Sequence, residues 1–130
     1  SYFGFDPIEV TKEQRKIFKL VLDKWEPNNC NQTFEINQVY RSSLKELKKF
    51  CEENNKKLIL YTSPIYRDDC KEDDLKLSEF LKKEGFNYWN YSDYFKNDNS
   101  LVNWKDNTHL SNIGAEIFTQ EIKNRLNKMN

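Results

Sequence analysis

The run Leu58-Ile59-Leu60-Tyr61 constrains this chain more than any other feature, because no polar residue interrupts it. A strand with one wet face alternates apolar and polar residues, whereas one covered on both faces does not. Such a strand belongs inside a parallel sheet layered by helices. Ser63-Pro64 ends it, since proline has no amide hydrogen to donate to a ladder.

The flanking segments supply helices. Thr11-Lys12-Glu13-Gln14 is a capping-box pattern, and behind it Ile17, Phe18, Val21, Leu22 and Trp25 share one helical face before Pro27. Tyr40, Leu44, Leu47 and Cys51 repeat at helical spacing in a second helix over 37–54. After the strand at 58–62, the acidic stretch 68–74 reads as a solvated loop leading into a helix over 74–84. That helix carries Leu77, Phe80 and Leu81, and Gly85 is placed to be its left-handed cap. A second strand is predicted over 86–91. The last helix begins at Ser111 and turns Ile113, Ile117, Phe118, Ile122 and Leu126 inward. The order helix, strand, helix, strand, helix predicts an α/β class. The second strand should run parallel to the first. Two strands leave sheet edges uncovered, so further strands are expected from 1–10, from 28–36, or from sequence outside these 130 residues.

Composition excludes more than it assigns. With 21 basic and 21 acidic side chains there is no cationic excess to attract nucleic acid, and no nucleic-acid partner is expected. The longest apolar run is far too short to span a bilayer, so no membrane span is expected either. Nine Phe, seven Tyr and three Trp supply material for a core despite the hydrophilic average. Cys30, Cys51 and Cys70 are odd in number and widely spaced, which predicts plain small residues in or near that core rather than a disulfide framework. The sequons at Asn31 and Asn90 are taken as chance matches in an Asn-rich chain.

In an open parallel α/β sheet, ligands sit beyond the carboxyl ends of the strands. Two segments fall there: 62–67 and the loop holding Trp104-Lys105-Asp106-Asn107-Thr108-His109-Leu110-Ser111. His109 is the single histidine. An Asp three residues before a His, in a turn entering a helix, can bring its carboxylate to one imidazole nitrogen. The carboxylate then fixes the tautomer and steadies the imidazolium formed when the other nitrogen takes a proton. The structural alternative is a capping Asp beside a surface His. Neither metal nor cofactor is expected, because no further His or Cys completes a ligand set.

The block Asp106-Asn107-Thr108-His109-Leu110-Ser111-Asn112-Ile113-Gly114-Ala115 closely resembles the last motif of the SGNH (GDSL-like) hydrolase superfamily. The stretch 44–66, with its "NNKKLILYTSPIY", is similar to the preceding helix–strand unit, especially in members grouped with cell-envelope acyl-transfer proteins. The resemblance covers roughly residues 36–126. It implies a partial three-layer α/β/α domain of few parallel strands, a fragment of a larger domain whose amino-terminal half is missing. It also implies a Ser-His-Asp esterase or O-acyltransferase with an acyl ester or carbohydrate substrate, in the cell envelope. His109 would be the base, Asp106 its orienting carboxylate, and Gly114 and Ala115 would let the last helix pack closely on the sheet. The Gly-Asp-Ser nucleophile block and the oxyanion-hole blocks have no match here. Ser63 is a substitute nucleophile or substrate contact, with a plain strand-ending serine as the alternative. Tyr66, Arg67 and Trp104 are placed to line an acyl or sugar pocket, with plain surface or packing residues as the equal alternative. The rival function is a non-catalytic module of the same fold that binds a glycan or a partner protein.

Overall fold

The computed structural model describes residues 8–28, 30, 35–98 and 100–129. Its elements are α1 (Lys12–Asp23), α2 (Gln38–Glu53), β1 (Ile59–Thr62), α3 (Lys71–Lys83), β2 (Asn87–Asn90), a 3-10 turn at Leu101–Asn103, and α4 (Asn112–Asn127). They form two compact units interleaved along the chain. One comprises Ser1–Glu26, Pro64–Arg67 and Ser92–Asn130, and the other Pro27–Ser63 and Asp68–Tyr91.

The second unit holds the sheet. β1 and β2 pair in parallel with Ile59 opposite Asn87 and Thr62 opposite Asn90, and the Tyr91 amide extends the ladder to the Thr62 carbonyl at 3.1 Å. The molecule is thus a small mixed α/β fold with two parallel strands among the described residues. Residues 8–10, 28, 30, 35 and 36 form no strand. The rest of the 1–10 and 28–36 segments lies outside the described residues. With a single neighbour strand among the described residues, β1 is half-buried and its Tyr61 is 51% exposed, so the double coverage expected for 58–61 is not met among them. α3 packs on β2, and Leu81, Phe86, Trp89 and Tyr91 are buried.

Two helix ends follow from local chemistry. Gly85 has φ +78°, its amide bonds the Lys82 carbonyl, and the Phe86 amide bonds Leu81, which is the Schellman closure of α3. Asn55, at φ 53°, closes α2 the same way through Glu52 and Cys51. α3 starts three residues earlier than its sequence pattern suggests. Glu72, Asp73 and Asp74 form its first turn, where carboxylates favour the positive end of the helix dipole. α2 meets the end of α3 through Arg41 and Lys45, which both pair with Glu84; the Arg41 guanidinium holds that carboxyl below its ordinary range.

The cysteine expectation fails for two of three. Cys30 and Cys70 form a disulfide, with Cα atoms 5.5 Å apart and a sequence separation of 40. Parity and spacing could not reveal it, because tertiary folding brings Cys30 to the residue that caps α3. Cys51 is a free thiol.

The first unit is organised by aromatic rings. Phe18 of α1 meets Tyr66 edge-on at 5.3 Å, Tyr66 meets Trp104 at 5.5 Å, and Trp104 meets Phe95 at 5.7 Å. Phe95 continues to Tyr94, and Tyr94 to Phe118 of α4. This edge-to-face geometry aligns ring quadrupoles favourably and links both helices of the unit through one chain of contacts. Much helical apolar surface nevertheless stays outside. Ile17 and Leu20 on α1, Val39 and Phe50 on α2, and Ile113 and Ile117 on α4 are all exposed. Among the described residues no helix is long and apolar enough to cross a membrane.

Candidate functional site

The loop 104–110 is closed by its own backbone before any side chain acts. Trp104 and Leu110 form an antiparallel bridge, and the Lys105 amide donates to the His109 carbonyl at 2.9 Å. Ser111 then caps α4: its Oγ accepts from the Gly114 amide at 3.2 Å and donates to the Val102 carbonyl at 2.7 Å. Gly114 is required by close approach. A Cβ there would lie 2.2 Å from the Asn103 carbonyl oxygen. The resemblance assigned this glycine to packing on the sheet; its contact is instead the 3-10 turn that leads into the loop.

Within that frame Asp106 Oδ1 accepts hydrogen bonds from the Thr108 and His109 amides, both at 2.9 Å. The same oxygen lies 2.9 Å from His109 Nδ1, and Oδ2 lies 3.1 Å from it. The contact expected from the three-residue spacing is therefore present, and the capping role is present with it. Burial pushes the Asp106 carboxyl upward, but the Thr108 amide and then the His109 imidazole outweigh this and hold it below its ordinary value. The His109 side chain is 62% exposed, and among the described residues none bonds its Nε2. A carboxylate on Nδ1 and an open Nε2 is the arrangement a general base requires.

Asn107 is a residue the sequence reading missed. Its carbonyl accepts from the Tyr66 amide at 2.9 Å, its Oδ1 from the Arg67 amide at 3.0 Å, and its Nδ2 donates to the Arg67 carbonyl at 3.0 Å. The loop is thereby fastened to segment 64–67. An asparagine side chain offers a donor and an acceptor together, which suits it to clasp a passing backbone. That chemistry was the available signal.

The other predicted residues separate into different roles. Trp104 is 1% exposed and sits in the aromatic chain, so it supports the loop from beneath. Tyr66 is half-buried in the same chain, between Phe18 and Trp104. Arg67 is exposed, with its guanidinium 5.6 Å from the Trp25 ring centre. Ser63 is exposed just beyond the carboxyl end of β1, in the second unit.

A groove that the sequence did not suggest adjoins the pair. It encloses about 410 Å³ between Ile17, Phe18 and Val21 of α1 and the loop residues Lys105, Asp106 and Thr108. Asp106 thus belongs both to the groove wall and to the bond with His109. No protein-family model, curated protein or solved structure matches this chain.

Proposed function

We propose that this chain contributes the acid–base half of a serine-type esterase or O-acyltransferase, acting on ester-linked acyl groups of a cell-envelope carbohydrate. The observation that carries the reading is the Asp106 carboxylate on His109 Nδ1, with Nε2 open on an exposed ring. In this mechanism Nε2 takes the proton of an attacking serine hydroxyl and later returns it to the leaving group, while Asp106 stabilises the imidazolium. The serine and the oxyanion donors come from a segment outside these 130 residues, whose strands complete a three-layer α/β/α domain beside β1. The two-stranded sheet and the exposed apolar helix faces support such a completion. The Cys30–Cys70 disulfide supports an oxidising compartment, as expected of an envelope protein.

The 130-residue chain alone should not turn over p-nitrophenyl acetate. Co-expressed with the segment encoded upstream, it should do so, and His109→Ala should then cost about 10³-fold in kcat. Turnover that survives His109→Ala contradicts the reading. Turnover by the chain alone that disappears in Ser63→Ala reassigns the nucleophile to Ser63. The exposed Val39 and Phe50 on α2 favour a second reading, a non-catalytic module that docks a partner protein. A complex that forms through α2 and is indifferent to His109→Ala would select it.

A further inference from the structure

The face of α1 that its sequence periodicity assigns to a core is only partly used as one. Phe18 is buried, but Ile17 and Val21 remain 61% and 49% exposed and form one wall of the groove beside the 105–108 loop. The volume lies within the roughly 300–1,000 Å³ range of small-molecule sites. The opposite wall is polar, and among the described residues that line it Lys105 is the one cation and Asp106 the one carboxylate. Lys105 is half-buried, and among the described residues no carboxylate lies within ion-pair distance of its ammonium. Its neighbour Asp106 is committed elsewhere, to the Thr108 and His109 amides and to Nδ1. An apolar wall facing a lysine with no ion-pair partner among the described residues is complementary to an amphiphile of opposite charge.

We propose that the groove binds a single aliphatic chain with an anionic head group, methylenes against Ile17, Phe18 and Val21 and the head at Lys105. The hydrocarbon supplies affinity through burial of apolar area, and the lysine selects the sign of the head. Because Asp106 lines the groove, the bound head lies beside the Asp106–His109 pair. The meaning of the groove as an acyl subsite rests on the hydrolase reading; the binding itself does not.

The test is titration of the isotope-labelled chain with dodecanoate, dodecyl phosphate and dodecyltrimethylammonium below their micelle concentrations, followed by amide shifts. Saturable shifts confined to α1 and residues 105–108 are expected with an anionic probe and not with the cationic one. Dodecanoate alone indicates a fatty-acid ligand, dodecyl phosphate alone a phospholipid-like one, and binding of both supports the shared chemistry. Each methylene removed should weaken binding about fourfold while the chain remains in the groove. Lys105→Gln should cost about tenfold, and Val21→Asp, at an exposed position that tolerates a polar side chain, should abolish saturation. Equal binding of the cationic probe, shifts centred elsewhere, or indifference to both substitutions overturns the proposal. His109→Ala should leave dodecanoate binding intact, so failure of the groove and failure of the catalytic pair are read separately.

Discussion

At the scale of single residues, Asp106 does two jobs with one carboxylate. It satisfies the Thr108 and His109 amides, as a capping residue does, and it orients an imidazole. Its acidity reports both. NMR titration of the carboxyl carbon should place its midpoint below the ordinary 3.8. Since the folded value is depressed, the stability it contributes is present above pH 3.8 and is lost as pH falls through the folded value. A midpoint at or above 3.8 would mean that the amide and imidazole bonds are not formed in solution. His109 and Asp106 were legible from residue type and spacing alone, because a turn of three residues leaves few places for the carboxylate. Asn107 was not. Its side chain bonds the backbone of Arg67, 40 positions away, and no local pattern points there.

At the scale of elements, the sequence read the helices well and their surroundings poorly. Capping chemistry is local, so Thr11, Ser111 and Gly85 marked helix ends that the structure uses. Inner faces are a property of what packs against them, and periodicity alone assigned Ile17, Tyr40 and Ile113 to cores that leave them exposed. For Trp104 residue type and position left pocket wall and packing open, and only the fold shows its ring to be core for that loop. The element that holds the site in place is the contact of α4 with the turn at Leu101–Asn103. Gly114→Ala forces a methyl group onto the Asn103 carbonyl and should cost about 1–3 kcal/mol in denaturant unfolding. It should also perturb the His109 resonances, although it touches neither member of the pair. An Ala variant of wild-type stability would show that α4 does not approach the turn this closely.

At the scale of the whole molecule, two parallel strands and the disulfide set the terms. Closing a loop of 40 residues, the Cys30–Cys70 bond should stabilise the chain by about 4 kcal/mol in the loop-entropy model. Cys30→Ser with Cys70→Ser should lower the denaturation midpoint accordingly, and an unchanged midpoint would mean that the bond does not form. The parallel pairing was readable because an unalternated strand has few other homes, while the pairing partner of Cys30 was hidden by distance along the chain. Whether this surface can act as a base turns on one proton. Long-range proton–nitrogen NMR can report the neutral tautomer of His109 without ambiguity, since the chain has one histidine. With the Asp106 carboxylate on Nδ1, the proton should sit on Nδ1 and leave Nε2 as the acceptor, and Asp106→Ala should remove that preference. A neutral imidazole protonated on Nε2, unchanged by Asp106→Ala, would contradict it.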